Sequence, residues 1–265
     1  MTIEQIIVLA VVQGVTEFLP ISSSGHLILV PQIMHWRDQG FVVDVMTHLG
    51  TLLAILIYFW RDVARLVKGA LELLKGRVTN EGRLAIYIVL ATIPAIAFGL
   101  FLKTVGYTDL ERNVAVVAWN TILYGLLMLV ADMVGSQDRN LSNMTLGSAL
   151  IIGVAQALAL IPGTSRSGVT ISGARFLGFN RSDAARFSFL LGIPAIAGAG
   201  VLTVGDALSS GETITMDAVY CAGLTFVAGL AAIAFLMALV KRVSLLPFVL
   251  YRMILGGFLL VLLYS

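Results

Sequence analysis

Four residues of this apolar chain carry side chains that hydrocarbon surroundings reject unless they are put to use: Glu17, Ser23, His26 and Arg166. An ionisable group at the centre of a bilayer costs about 2.5–3.5 kcal/mol on insertion scales, so each is a functional candidate by default. His26 follows Ser23 by three residues, a spacing that puts both on one side of a helix start. A serine hydroxyl becomes a nucleophile when a base within about 2.6–3.2 Å accepts its proton. Glu17 could orient His26, act as that base itself, or help to hold a divalent cation; the residues do not choose among these. Arg166 adds a planar fork suited to phosphate oxygens. The other ionisable groups in apolar runs have simpler readings. Asp44 and His48 form a local pair four apart on one helix face, and Arg175 snorkels toward the cytoplasm from a short helix. Arg252 reads equally well as a functional group and as a tie between helices. Cys221 is alone, so there is no disulfide frame and no thiol metal site.

The elements that must position these groups are membrane helices. The chain has 265 residues, 58% hydrophobic and only 12% charged, with mean hydropathy +0.96. A soluble domain carries about 25% charged residues. This composition excludes an ordinary globular enzyme, a disordered chain and a nucleic-acid binder with a basic face. A net charge of +2 does not by itself select an anionic partner. The opening Met1-Thr2-Ile3-Glu4 has no cationic region and no cleavage pattern, which reads as mature protein.

Six apolar runs are long enough to cross about 30 Å of hydrocarbon: Phe41–Trp60, Leu84–Leu102, Val114–Met133, Phe187–Val204, Ala218–Val240 and Leu245–Tyr264. Two others are interrupted. Ile3–Leu19 stops at Pro20-Ile-Ser22-Ser23-Ser24-Gly25-His26, and Leu146–Ile161 stops at Pro162-Gly-Thr164-Ser165-Arg166-Ser167-Gly168. Such breaks free backbone groups that lipid cannot satisfy, so each must be buried in protein or line a wet cavity. Both read as re-entrant helix–loop–helix hairpins. They match at an offset of 143: Gln13 with Gln156, Ser22 with Ser165, Ser24 with Ser167, Gly25 with Gly168. One hairpin plus three spans per half makes the second half inverted. The fold expected is a single all-α polytopic membrane domain with six spans and an inverted-topology repeat, its halves near 1–135 and 144–265.

Helix capping accounts for some of the serines, because serine is a preferred N-cap. Capping requires neither three serines beside a histidine nor an arginine. Helices starting near Gly25 and Gly168 present unpaired N–H groups and a positive dipole end. Two inverted hairpins would aim both ends at one midplane pocket. The residues therefore predict a phosphate or diphosphate site within the membrane. Basic residues near span ends set orientation. With 61–83 in the cytoplasm, that side holds eleven: Arg61, Arg65, Lys68, Lys75, Arg77, Arg83, Arg139, Arg181, Arg186, Lys241 and Arg242. The opposite side holds three, Arg37, Lys103 and Arg112, so both termini are expected outside.

The segments Gln13-Gly-Val-Thr-Glu17-Phe-Leu-Pro20-Ile-Ser-Ser-Ser-Gly25-His26 and Pro162-Gly-Thr-Ser-Arg166-Ser-Gly168 resemble the two signature motifs of the undecaprenyl-diphosphate phosphatases, the bacitracin-resistance membrane phosphatases. The resemblance extends through Phe59-Trp60-Arg61 and Leu246-Pro-Phe-Val-Leu-Tyr-Arg252. It implies hydrolysis of undecaprenyl diphosphate to the monophosphate in the bacterial inner membrane, recycling the carrier lipid of peptidoglycan synthesis. It implies catalytic roles for Glu17, Ser23, His26 and Arg166. Gln13, Ser22, Ser24 and Gly25, with Thr164, Ser165, Ser167 and Gly168, would then meet the diphosphate of a polyprenyl substrate. It further implies magnesium or calcium and no organic cofactor, although no metal-ligand cluster is visible in the sequence. The first motif opens on Gln13, where the family has Glu or Gln, which leaves one carboxylate there. The competing reading is a transporter or flippase of polyprenyl phosphates, since broken helices in inverted repeats are transporter architecture.

Overall fold

A computed structural model describes residues 1–36, 40–105, 113–209 and 213–264, with the side chain of Ser24 outside the described set. Arg37 and Arg112, used for the charge count, also lie outside the described residues. Among the described residues eleven α-helices follow one another: α1 Ile3–Thr16, α2 Ser23–Ile33, α3 Phe41–Tyr58, α4 Trp60–Leu74, α5 Asn80–Thr104, α6 Val114–Val134, α7 Leu146–Leu158, α8 Arg166–Phe176, α9 Arg181–Ser209, α10 Met216–Leu239 and α11 Leu246–Tyr264. Among the described residues the only sheet-like pairing is an isolated bridge between Arg139 and Phe179. The protein is an all-α polytopic membrane protein.

Helix starts follow local chemistry. Thr2 and Gln5 form a reciprocal capping box on α1. Thr79, Asn113, Thr145 and Thr215 each accept an N–H of the first turn of α5, α6, α7 and α10. Among the described residues five helices, α5, α6, α9, α10 and α11, are long and apolar enough to cross a membrane. The expected run Phe41–Trp60 does not continue straight. Its helix α3 ends at Tyr58, and α4 leaves it at 82°. At 18 residues α3 still reaches about 27 Å, enough for a sixth crossing. Helix α4 is amphipathic: Arg61, Arg65 and Lys68 are exposed, while Gly69 is buried against Gly82 of α5.

Close packing of small residues holds the bundle together, as expected where lipid removes most of the hydrophobic drive between helices. A Cβ on Gly50 of α3 would lie 2.3 Å from the Ala222 carbonyl of α10, and one on Gly153 of α7 would lie 2.2 Å from the Ala91 carbonyl of α5. The packing scheme recurs along the chain: α1 lies on α2 and α10, and α7 lies on α8 and α5. Helix α3 also packs on α9, and α6 on α11. Phe18, Phe59 and Phe189 meet edge-on or tilted at 5.6 and 5.8 Å between ring centres, forming a rigid apolar floor beside Glu17 and Ser188.

One sequence expectation is overturned here. Arg175 does not snorkel; it is 0% exposed. Its Nε donates to Asp132 Oδ1 at 3.1 Å, and its remaining nitrogens donate to the carbonyls of Asp132, Gly135, Ser136 and Phe179. Asp132 supplies the counter-charge from a different helix, which removes any need for the arginine to reach water. Arg252 is a tie. It donates to the carbonyls of Pro20, Asn120, Thr121, Gly163 and Thr164, binding both broken regions to α6.

Candidate functional site

The site is built at the two breaks. Helix α1 ends as the chain reaches Pro20, and α2 restarts at Ser23; α7 ends before Pro162, and α8 restarts at Arg166. These starts are two residues earlier than the glycines expected from sequence. At the same place in each break a serine takes a left-handed backbone, Ser22 at φ 75° and Ser165 at φ 70°. Such a conformation is uncommon for a residue with a Cβ, and it gathers where function demands it. Ser165 Oγ accepts the Gly168 N–H at 3.3 Å, and Ser22 Oγ sits 3.5 Å from the Gly25 nitrogen. These two serines therefore do the capping. Ser167 donates to the Leu19 carbonyl at 3.2 Å and stitches the second break to the first.

With Ser22 in the cap, Ser23 is released for other work. Its Oγ donates to Glu17 Oε2 at 2.9 Å. Gln13 Nε2 donates to the same oxygen at 3.2 Å, and Arg166 Nη2 reaches Glu17 Oε1 at 3.3 Å. A carboxylate that is 7% exposed is thus held by a serine, an amide and a guanidinium from three helices. Arg166 is fixed from behind by the Ser188 carbonyl, at 3.2 Å from Nη1. Gly192 makes room for it: a Cβ there would lie 2.2 Å from Nη1.

Of the sequence candidates, Gln13, Glu17, Ser23 and Arg166 come together directly. His26 does not bond to Ser23. Its Nδ1 lies 2.7 Å from the Ser22 carbonyl, and its Nε2 lies 2.5 Å from the Tyr251 hydroxyl. A carbonyl only accepts, so Nδ1 carries the proton, and in the neutral ring Nε2 accepts from Tyr251. Thr164 is fully buried with an unpartnered Oγ1 among the described residues, and Ser165, Ser167, Gly25 and Gly168 shape the breaks. The sequence reading left His48 out of the site. Its Nε2 lies 3.8 Å from Glu17 Oε2. Gly192, Ser188 and Tyr251 were missed as well, because each acquires its role through tertiary contact. The only advance signal was the polar i,i+4 pair Asp44/His48 in an apolar helix.

A divalent cation has few donors here. Among the described residues no group of three or more His, Cys, Asp or Glu side chains is placed to hold one. Gln13 Oε1 is buried without a hydrogen-bond partner and adjoins Glu17, so the protein offers two hard oxygen donors. Magnesium is commonly held in that way, with substrate phosphates and water completing its shell. The residues fit a cation that arrives with a phosphorylated substrate.

Residues 6–258 match the family described as bacitracin resistance protein BacA. The chain belongs to that family. It is 46% identical over 267 residues to an undecaprenyl-diphosphatase of Jannaschia sp. strain CCS1, covering 100% of both chains. An undecaprenyl-diphosphatase of Erythrobacter litoralis strain HTCC2594 is also 46% identical, with 97% of this chain and 98% of the relative covered. One from Alteromonas mediterranea is 42% identical over 98% of each. This family member thus matches its relatives through both breaks and the helices around them.

Proposed function

We propose that this family member hydrolyses undecaprenyl diphosphate to undecaprenyl phosphate and inorganic phosphate, in the bacterial inner membrane, with both termini outside. The observation that carries the chemistry is the Ser23–Glu17–Arg166 contact across the two breaks. Ser23 Oγ attacks the terminal phosphorus while its proton passes to Glu17 Oε2. The bond to the bridging oxygen breaks, and undecaprenyl phosphate leaves with the electron pair. Once Glu17 has given that proton up to solvent, it takes the proton of a water that attacks the phosphoserine and returns it to Ser23 Oγ as the serine–phosphorus bond breaks and phosphate leaves. Arg166 turns its fork toward the phosphoryl oxygens, where charge spreads in the transition state. The first turns of α2 and α8 add N–H groups of the same sign. Gln13, Ser24, Gly25 and the Thr164–Gly168 loop contact the diphosphate, and the Ser22 cap and the His26–Tyr251 pair keep the Ser23 loop in shape. A magnesium or calcium ion, when bound by Glu17 and Gln13, would neutralise phosphate charge.

The apolar tail lies along the lipid-facing helices. The halves 1–135 and 144–265 are read as one inverted repeat, a reading supported by the matching Ser22 and Ser165 geometry and by the parallel packing of α1 and α7. Physiologically the reaction recycles the carrier lipid of peptidoglycan synthesis and confers bacitracin resistance. A flippase would need anion sites but no serine donating to a buried carboxylate, so the contact favours hydrolysis. Purified protein in detergent should release phosphate from undecaprenyl diphosphate. Ser23→Ala should lower turnover by at least about 10³-fold, as loss of a nucleophile does elsewhere. It should still fold, because Ser22 holds the cap. Activity above about a tenth of wild type in Ser23→Ala would make water the attacking group and Ser23 a phosphate ligand.

A further inference from the structure

Helix α4 has three different faces, and the chemistry at the breaks uses none of them. It follows α3 through Phe59-Trp60-Arg61 and leaves that crossing helix at 82°, so its 15 residues run for about 22 Å along the membrane surface. One face packs on the bundle: Leu66 joins the core, and Gly69 and Leu73 close on Gly82 of α5. On the same side Asp62 pairs with Arg186 of α9. A second face is apolar and bare. Trp60, Ala64, Val67, Leu71 and Leu74 recur at steps of four, three, four and three, and all are exposed. The third face is basic. Arg61, Arg65 and Lys68 each follow a member of the apolar stripe by one residue, and so stand about 100° round the helix from it.

The charges of the third face are not spent inside the protein. Among the described residues no carboxylate pairs with Arg61, Arg65 or Lys68. The acidic groups of α4 are engaged elsewhere, Asp62 by Arg186 and Glu72 by Lys75 and Arg77. Glu81 lies in the first turn of α5 with its Cβ toward Gly69, on the packed side. The Arg61 guanidinium rests 5.2 Å over the Trp60 ring and joins the two exposed stripes at the bend. An apolar stripe beside three unneutralised cations matches the boundary of a bilayer, where hydrocarbon takes one stripe and phosphate the other. A soluble anion would satisfy the cations and leave the apolar stripe in water. A zwitterionic headgroup brings its own cation to the basic stripe, whereas an anionic headgroup leaves it the full attraction.

We propose that the exposed side of α4 is a binding surface for the anionic phospholipid headgroups of the surrounding bilayer. The apolar stripe sits at the acyl boundary, and Arg61, Arg65 and Lys68 take headgroup phosphates. The Asp62–Arg186 pair couples the seated helix to α9, which carries the Ser188 and Gly192 backrest of Arg166. The surface is separate from the diphosphate site and does not depend on the phosphatase reading.

The test offers full-length protein in nonionic detergent equal amounts of phosphatidylglycerol and phosphatidylcholine, and counts the lipid retained by mass spectrometry. Wild type should prefer phosphatidylglycerol by about ten-fold or more. The preference should shrink between about 0.1 M and about 1 M salt, as the screening length falls from about 10 Å to about 3 Å. The triple variant Arg61→Gln, Arg65→Gln, Lys68→Gln should lose most of it. The double variant Lys241→Gln, Arg242→Gln, exposed and basic just beyond α10, should keep it. A thermal midpoint equal to wild type checks that the triple variant folds, and the wild-type preference with its salt dependence stands without that variant. In vesicles of both lipids, a bimane on Leu71→Cys should be quenched by brominated acyl chains and shielded from aqueous iodide. Equal retention of the two lipids by wild type would overturn the proposal, as would an unchanged preference in the triple variant; either would leave the face to a protein partner. An equal loss in the double variant would reduce the effect to overall charge and also overturn it. Displacement of the lipid by millimolar inorganic phosphate would make this a small-anion site, and iodide reaching the Leu71 label would take the stripe out of the membrane; each result overturns the lipid surface.

Discussion

Arg166 has a fixed backrest and a movable front. Nη1 is held by the Ser188 carbonyl and Gly192 leaves no spare volume behind it, while Nη2 reaches Glu17. Lysine preserves the charge but cannot bond Ser188 and a phosphoryl oxygen with separate nitrogens of one plane. Arg166→Lys should therefore cost roughly 10²–10³-fold in kcat, comparable with loss of one preorganised donor. Steady-state phosphate release checks it, and a loss confined to KM would show that Arg166 serves ground-state binding. At this scale the sequence was legible wherever a residue is costly in lipid: Glu17, Ser23 and Arg166 stand out because apolar surroundings make them expensive. Gly192 and Ser188 cannot be found that way, since a glycine and a carbonyl acquire meaning only from the guanidinium folded against them. His26 has a partner hidden from sequence for the same reason. Its spacing from Ser23 was read correctly, but its ring is turned to Tyr251 by a contact 225 residues away in sequence.

Helix α6 meets three other elements at one carboxylate. Asp132 Oδ1 accepts from Arg175 of α8 at 3.1 Å and from Arg181 of α9 at 2.6 Å; Oδ2 accepts from Arg181 at 3.0 Å and from the Leu245 N–H before α11 at 3.0 Å. Because α8 begins with Arg166, this knot sets the far end of the helix that carries the site arginine. Asp132→Asn would leave the wholly buried Arg175 without its counter-charge. Breaking a buried pair from one side costs about 3–5 kcal/mol, so the thermal midpoint in detergent should fall markedly. Turnover per folded molecule at low temperature should change far less, which separates the knot from the chemistry. An unchanged midpoint would mean that the carbonyls around Arg175 suffice. Proline and glycine announced both site breaks in the sequence. The 82° bend after Tyr58 had no such announcement, because Phe59 carries neither signal. It is fixed instead by ring contacts of Phe59 with Tyr58 and Phe189.

Across the whole molecule, orientation follows from where the charges sit relative to the bundle. The Met1 amino group pairs with Asp217 at 2.6 Å, so the amino terminus and the start of α10 share one face of the protein. The basic residues of α4 and the start of α5 follow a full crossing by α3, which puts them on the other face. The count of eleven basic residues against three predicts that this second face is cytoplasmic. Cysteines at Thr213 and Asn80, both exposed, test the assignment in intact cells, because the native Cys221 is buried and contributes little background. Thr213→Cys should react with an impermeant thiol reagent applied outside, and Asn80→Cys should react only after the membrane is opened. Proteins inserted in both orientations would label at both positions, and the reverse pattern would turn the molecule over. Under the proposed inverted repeat the result bears on more than the assignment of sides. If the first break enters from outside and the second from the cytoplasm, Glu17 and Arg166 approach their shared contact from opposite leaflets. A reagent that reaches Ser23→Cys from outside but not from within would then give the face from which the diphosphate enters.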